Sequence, residues 1–310
     1  MTPEDRQDLT ALFRAQRGRL FAIAYRMLGT VSEAEDVVQE AFYRYGRIDS
    51  TEVEAPQAFL TTTSPGLPST ISSRRGCAAS ATFGSWLPEP LVSTEPGVDE
   101  QAETADSISM AFLVLLESLS ALERAVFLLR EAFDYDYESI GRIVGRSAEN
   151  CRQIALRARG HVDAGRPRFD ASRAERDALA RRFFAACEDG DTEGLLELLS
   201  ADTVLYGDGG GQAPAVRKPL HGRDRVARTL IGLLGRAAEI GARHEPIVVN
   251  GQPGARYLDS DGGIINVVAL DIADGQIQAV RSVVNPDKLG HLGPTADLQA
   301  LVARLRTRRR

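Results

Sequence analysis

Between positions 146 and 159 the chain concentrates side chains able to read a base pair. Arg152, Gln153, Arg157 and Arg159 fall in one short run, with Ser147 and Asn150 just before them. An arginine fork matches O6 and N7 of guanine, and a glutamine amide matches N6 and N7 of adenine. At about 100° per residue, Glu149, Arg152, Gln153, Leu156 and Arg157 share one helix face. Such a face suits a helix lying in a DNA major groove. The competing reading is an ordinary amphipathic hairpin with a solvated charged side, and these residues alone do not separate the two.

A second group of residues has acid–base potential: Tyr206, Asp208, His221, Asp224, Arg243, His244, Asn266 and Asp287. An Asp–His pair in an apolar pocket could transfer protons. Yet Asp208 sits in a glycine-rich turn with Gly207, Gly209, Gly210 and Gly211, which suits backbone shaping. His221 precedes Gly222 and a helix start, which suits a cap or a surface position. No metal-ligand spacing, nucleophile motif or phosphate-cradling loop is present. The expectation is a protein without catalysis, metal or cofactor.

The reading face needs a scaffold, and Tyr137–Arg159 supplies one. Ile140, Ile143 and Val144 give a first helix its apolar side. Gly145 allows a sharp turn. Ser147 N-caps a second helix. Cys151, Ile154, Ala155 and Ala158 recur at i, i+3, i+4 and i+7 as its buried stripe. Upstream, Ser120 and Glu123 form a capping box ahead of Leu122, Val126, Leu129 and Phe133. Phe112, Leu113, Leu116 and Leu119 pack inward before them.

The N-terminal part is helical too. Residues 4–28 place Leu9, Leu12, Phe13, Leu20, Ile23, Ala24, Met27 and Leu28 near one side. Gly29-Thr30 breaks that helix, and Ser32 with Glu35 predicts a capping box for the next. Ala34, Val37, Val38, Ala41, Phe42 and Tyr45 form its apolar stripe, leaving Asp36, Gln39, Glu40 and Tyr43 outside. A further helix is predicted at Ala58-Phe59-Leu60. Thr63–Ser85 then has no amphipathic period and reads as loop. Trp86-Leu87-Pro88-Glu89-Pro90 is stiffened by proline and extended, with the chain's single Trp placed to dock on a surface. Residues 93–106 are polar and acidic.

From Ala174 the texture becomes α+β. Helices around Leu179–Ala186 and Leu195–Leu199 precede strand-like runs at Thr203–Tyr206, Ile247–Val249, Ile264–Ile272 and Ile277–Val284. A helix near Val226–Leu234 lies between, and Asp274-Gly275 marks a hairpin. Helices followed by a curved antiparallel sheet predict a cone-shaped domain with an internal pocket. Asp297–Arg310 reads as a short helix in a basic, solvated tail.

Charge and composition narrow the class. The net charge is −6 in 310 residues, which argues against nonspecific coating of DNA. Locally, Arg146–Arg168 holds six Arg against Glu149 and Asp163. A basic island in an acidic chain fits a DNA reader that borrows most of its affinity from a larger partner. No apolar run approaches the ~20 residues of a membrane span, and MTPEDRQDLT lacks a signal-peptide layout, so a cytoplasmic protein is expected. Cys77, Cys151 and Cys187 are unpatterned.

With both helical parts in view, the chain resembles the extracytoplasmic-function (ECF) sigma factors, which direct bacterial RNA polymerase to promoters. LFAIAYRMLGTVSEAEDVVQEAFYRYGR (Leu20–Arg47) resembles the family's clamp-binding segment. LSALERAVFLLREAFDYDYESIGRIVGRSAENCRQIALRAR (Leu119–Arg159) resembles its −35-element domain. WLPEP, DGGGQ (Asp208–Gln212) and NPDKL (Asn285–Leu289) resemble the subgroup with a C-terminal SnoaL-like domain, a fold also used by polyketide cyclases. The resemblance implies that Asp36, Gln39, Glu40 and Tyr43 face core RNA polymerase. It implies that Ser147, Asn150, Arg152, Gln153 and Arg157 meet promoter DNA at the −35 element, with Arg159 on phosphate. It implies a regulatory set of Trp86, Leu87 and Pro88 with Asp208, Gly209, Gly210, Gly211, Asn285, Pro286, Asp287 and Lys288.

Two departures stand out. Gln212 replaces the lysine usual after DGGG, which puts that lysine's ion pair in doubt. Thr63–Ser85 matches nothing in the family, which has a basic helix there that opens and reads the −10 element. Back-translation with a one-base shift gives VTRLAIDHL…ARRVRRERYVG, a basic amphipathic helix. Residues 63–84 are therefore expected to be out of frame between two compensating indels.

The expected architecture is multi-domain. Two all-α domains, a sigma-70 region 2 type (1–85) and a helix-turn-helix region 4 type (107–168), are joined by a linker (86–106). A SnoaL-like α+β domain (171–290) and a basic tail (291–310) follow. The expected function is promoter recognition and transcription initiation, regulated by the C-terminal domain with a small-molecule ligand as a candidate effector, in a chain that is monomeric when free and not membrane-bound. The alternatives are a SnoaL-type cyclase or ligand-binding enzyme with an accessory DNA-binding half, and a polymerase-independent repressor. The acidic first domain speaks against the repressor.

Overall fold

The structure is a computed structural model and describes residues 3–45, 85–93, 108–165 and 171–307. The helix expected at 58–60, the odd segment 63–84 and the acidic stretch 94–106 lie outside those residues. The chain divides into two compact units, one of Met1–Ala79 with Leu115–Arg166, the other of Ser80–Val114 with Pro167–Arg310.

In the first unit, α1 (Pro3–Leu28) and α2 (Val31–Tyr45) pack together. Leu20, Ile23, Ala24, Met27 and Leu28 are buried on α1, and Ala34, Val38 and Ala41 on α2, as the periodicity predicts; Val37 and Phe42 are half-buried, and the side chains of Leu9, Leu12, Phe13 and Tyr45 lie outside the description. The cap position falls two residues earlier than expected. Thr30, not Ser32, stands at the cap: its hydroxyl donates to Glu33 at 2.6 Å, and its carbonyl accepts from Ala34 at 3.2 Å. Gly29, with φ 71°, ends α1 so tightly that Thr30 becomes the first residue free to cap. Glu35 instead takes Arg17 of α1 at 2.6 Å.

Helix α3 (Met110–Leu116) straddles the division at Val114, and α4 (Ala121–Glu131), α5 (Tyr137–Val144) and α6 (Ala148–Gly165) follow in the first unit. The Ser120–Glu123 capping box opens α4 as expected. Helix α4 packs on α1 within this unit. Arg124, almost fully buried, donates to the Met27 carbonyl at 2.8 Å and pairs with Glu117 at 2.5 Å. Arg19 donates to the Phe133 carbonyl at 3.0 Å, and the Arg26 guanidinium lies 5.3 Å from the Phe133 ring centre.

The second unit is built on a seven-stranded sheet in the order β1-β4-β5-β6-β7-β2-β3. Its helices are α7 (Arg173–Asp189), α8 (Thr192–Leu198), α9 (Arg223–Glu239), α10 (Pro286–Leu289) and α11 (Leu298–Thr307). The strands are β1 (Val92–Ser93), β2 (Leu199–Asp208), β3 (Leu220–His221), β4 (Arg243–Val249), β5 (Gln252–Leu258), β6 (Ile264–Ala273) and β7 (Gln276–Val283). Only β2 and β7 pair in parallel; the other neighbours are antiparallel. This is the α+β architecture expected of the C-terminal part, with helices ahead of a largely antiparallel sheet.

Alternation along β6 splits the core in two. Val268, Leu270 and Ile272 join Phe183, Leu195 and Val226 from the helices. Val267 and Ala269 point the other way, toward Leu87, Met110, Val249 and Leu289. Strand β5 is absent from the sequence reading because Pro253 and Gly254 lower its strand propensity. The turn before it, Asn250-Gly251 with φ 51° and 71°, matches Asp274-Gly275 before β7 with φ 52° and 68°.

Candidate nucleic-acid interface and linker clamp

The helix-turn-helix forms as its sequence predicts. Asp136 caps α5, its carboxylate accepting the Ser139 amide at 2.7 Å. Gly145 closes α5 in the left-handed region at φ 67°, where a side chain would be strained. Ser147 accepts the Asn150 amide at 3.2 Å and opens α6. Cys151, Ile154 and Ala155 are buried against Val126, Leu129 and Ile140, and Ala158 is buried further along the same stripe. Burial also pushes the Cys151 thiol up, which keeps it protonated.

With that stripe turned inward, Glu149, Asn150, Arg152, Gln153, Leu156, Arg157 and Arg159 are all exposed. Leu156, at 70% exposure, is a large apolar side chain in the middle of this polar face. Arg152 pairs with Glu149 at 2.5 Å, and its guanidinium carbon lies 5.2 Å from the Tyr137 ring centre. Arg159 is engaged by Glu131 of α4, a hydrogen bond that raises the arginine's pKa further. Neither Tyr137 nor Glu131 stands out in the sequence, because a stacking partner and a carboxylate from another helix have no local spacing signal.

On α2, Asp36, Gln39, Glu40 and Tyr43 form one exposed face, with Tyr43 at 62% exposure. Glu40 accepts from Arg44 at 2.5 Å.

The second unit brings WLPEP, DGGGQ and NPDKL together. Asp208, fully buried at the end of β2, spends both carboxylate oxygens. Oδ1 accepts the Gly210 amide at 3.0 Å; Oδ2 accepts the Leu87 amide at 2.8 Å and Lys288 Nζ at 2.7 Å. Lys288 Nζ also donates to the Leu87 carbonyl and lies 4.7 Å from the Trp86 ring centre. Both backbone polar groups of Leu87 are thus held, with its side chain wholly buried. The Asp208 carbonyl accepts Val284 and Asn285 amides at 2.8 and 3.0 Å, tying the two motifs by backbone as well.

The geometry explains the other motif residues. Asn285 caps the short α10, Pro286 takes its first turn, and Asp287 donates its amide to Asn285 at 3.2 Å. Gly210 has φ 59°, and a Cβ there would come 2.4 Å from the Asn285 side chain. Gln212 donates to Asp287 at 2.6 Å, so a neutral amide makes the contact where the related pattern has lysine.

Beyond WLPEP, Leu91 exchanges hydrogen bonds with Asn250, and β1 pairs Val92 with Val249 and Ser93 with Val248. Asn250 also donates to the Ile108 carbonyl at 2.8 Å, and a His291 ring nitrogen meets the Pro90 carbonyl at 2.9 Å. Sequence reading missed Asn250 and His291, although Asn250-Gly251 carries the hairpin signal that would have drawn attention to the first.

The acid–base candidates are not assembled as a catalytic pair. His221 is exposed on β3 beside Val204, while the Asp208 carboxylate is filled by the clamp. His244 pairs with Glu188 at 2.8 Å and packs against the Phe184 and Tyr257 rings. Among the described residues no cluster of side chains could hold a metal ion, and no helix is long and apolar enough to cross a membrane.

Comparison with known proteins agrees with this geometry. The profile "Sigma-70 region 2" matches residues 12–65, and "Sigma-70, region 4" matches residues 109–162. The "ECF RNA polymerase sigma factor SigJ" of Mycobacterium tuberculosis (strain ATCC 25618 / H37Rv) is 33% identical over 290 residues, covering 89% of this chain and 91% of that protein. The "Probable ECF RNA polymerase sigma factor SigI" of Mycobacterium tuberculosis (strain CDC 1551 / Oshkosh) is 30% identical over 288 residues, covering 92% and 96%. The crystal structure of the M. tuberculosis SigJ superposes with a TM-score of 0.71 at 31% identity, covering 93% of this chain and 100% of that one. Two sigma-70 regions and near full-length likeness to such relatives place this chain in the family of ECF RNA polymerase sigma factors.

Proposed function

We propose that the chain works by binding rather than by chemistry, joining core RNA polymerase through the α2 face and reading the −35 element through the α6 face. The observation that carries this is the division of α6: one side is buried, and the other presents Arg152, Gln153, Leu156 and Arg157 to solvent. Arg and Gln supply bidentate contacts to base edges, each worth about 1–3 kcal/mol of discrimination. Arg157 and Gln153 read bases, Ser147 and Asn150 flank them, and Arg159 holds phosphate after leaving Glu131. On α2, Asp36, Gln39, Glu40 and Tyr43 form the polymerase contact. The chain acts in the cytoplasm and is monomeric when free.

The C-terminal domain regulates this activity through the clamp on Leu87. Docking of WLPEP between Asp208 and Lys288 fixes the chain immediately after the region 2 domain. Release would lengthen the tether between the two DNA-engaging domains. A ligand of the C-terminal domain biases docking only by its difference in affinity for the two states.

The region 2 profile ends at residue 65, which supports the reading of residues 63–84 as out of frame. Resequencing the gene decides this: codons yielding no basic amphipathic helix in either shifted frame sink it.

Run-off transcription with purified core polymerase tests the function. The full chain, a chain cut after Arg168 and a frame-restored chain are compared. Polymerase binding by all three, with efficient promoter opening only after frame restoration, is expected. A full chain that neither binds core polymerase nor recruits it to any promoter overturns the reading.

A further inference from the structure

One aromatic ring in the helix-turn-helix has two cations on it. The Arg130 guanidinium carbon of α4 lies 5.3 Å from the Tyr137 ring centre, and that of Arg152 from α6 lies 5.2 Å from it. Both fall inside the ~6 Å at which a ring's quadrupole attracts a cation. Tyr137 is itself fixed. It is the first residue of α5, behind the Asp136 cap, and packs on the core that holds Ile140 and Ile154. Arg130 is anchored separately by the Tyr135 carbonyl at 3.1 Å.

We propose that Tyr137 is a positioning residue for base readout, holding the Arg152 guanidinium at the DNA face before DNA arrives. This rests on the reading that Arg152 contacts a base. A free arginine side chain samples many rotamers, and ordering it on binding weakens the contact it makes. On the Tyr137 ring, with Glu149 at 2.5 Å as a second tie, Arg152 is already ordered. Glu149 is the stand-in acceptor that a guanine edge replaces, whereas the ring contact persists in the complex. Preorganisation of this kind sharpens the choice of base at one position rather than raising affinity everywhere.

The test uses holoenzyme reconstituted with core polymerase and a set of promoters carrying every single-base change in the −35 element. Arg152→Ala identifies the position that Arg152 reads, by loss of preference there. Tyr137→Leu lowers preference at that same position by about two- to fivefold and leaves the others unchanged. Tyr137→Phe retains it. Pentafluorophenylalanine at position 137 keeps the shape but reverses the ring's attraction for cations, and so behaves like leucine; this variant also decides the matter should Tyr137→Leu fail to fold. Equal preference with phenylalanine and its fluorinated analogue, or an equal loss at all positions, overturns the proposal while leaving Arg152 as a reader. Unchanged preference in Arg152→Ala overturns both.

Discussion

Lys288 and Asp208 meet 2.7 Å apart in the interior of the C-terminal domain, and the backbone of Leu87 completes their coordination from more than a hundred residues upstream. Breaking such a pair from one side strands a buried charge, at a cost of about 3–5 kcal/mol. Asp208→Ala is therefore expected to lower the melting temperature sharply and to open the chain at residues 86–93 to limited proteolysis. The double variant Asp208→Ala/Lys288→Met should lose less than the sum of the singles in a thermal-denaturation cycle.

Gln212 and Gly210 lie in the same turn but predict opposite sensitivities. Gln212→Lys would exchange a neutral donor for a charged one toward Asp287 at the surface, where an ion pair is worth ~0–1 kcal/mol. A melting temperature within a degree or two of wild type is expected. Gly210→Ala meets both a positive φ and the Asn285 side chain, and should cost about 1–3 kcal/mol by urea denaturation.

The arginines of α6 should separate by their response to salt. Arg157→Ala is expected to relax preference at one −35 base. Arg159→Ala should weaken binding to all promoters alike and reduce the slope of log K against log salt by about one. Holoenzyme binding titrations at several salt concentrations measure both.

The Ser120–Glu123 box gives a pH signature. Hydrogen bonds from the Ser120 side chain and backbone hold the Glu123 carboxyl below its ordinary 4.5. A carboxyl depressed on folding stabilises above its unfolded value, and this contribution is lost as pH falls through the folded value. Wild type should therefore lose stability relative to Glu123→Gln as pH drops below about 4.5. Ser120→Ala should cost ~1 kcal/mol near neutrality. Melting curves from pH 7 to pH 3 check both.

Arg124 is the buried tie between α4 and the end of α1. Arg124→Met keeps much of the volume but frees the Met27 carbonyl and Glu117. Faster amide exchange near Met27 and Leu28 is expected, with α5 and α6 unaffected.

The elements that carried a local signal were legible in the sequence. The turn at Gly145, the cap at Ser147 and the stripe Cys151–Ala158 follow from spacing alone, and they fix which α6 residues face outward. The meeting of WLPEP, DGGGQ and NPDKL was legible as an association of motifs, but its chemistry was not. Nothing local says that both backbone polar groups of Leu87 are bound or that Asp208 Oδ2 is shared. Partners distant in sequence, such as Glu131 for Arg159 and Asn250 for Leu91, depend on packing. The cap of α2 lies two residues before the expected Ser32 because two overlapping Ser/Thr-x-x-Glu patterns compete, and the sharp end of α1 at Gly29 decides between them. Strand β5 escaped because its proline and glycine mask a segment held by pairing on both sides.

Residues Val92 and Ser93 occupy the open flank of β4. A C-terminal fragment begun just ahead of α7, near residue 171, would lack them and also Leu87 and Met110, which plug its second core. Val248 and Val249 would then offer bare amides and carbonyls beside an emptied apolar trough, the arrangement that invites a like molecule to add its own strand. Such a fragment is predicted to self-associate, whereas the full chain, which keeps residues 85–93 and Met110 in place, stays single. In this polypeptide the compact C-terminal unit is not one continuous stretch of chain: its first piece is threaded in from ahead of the helix-turn-helix.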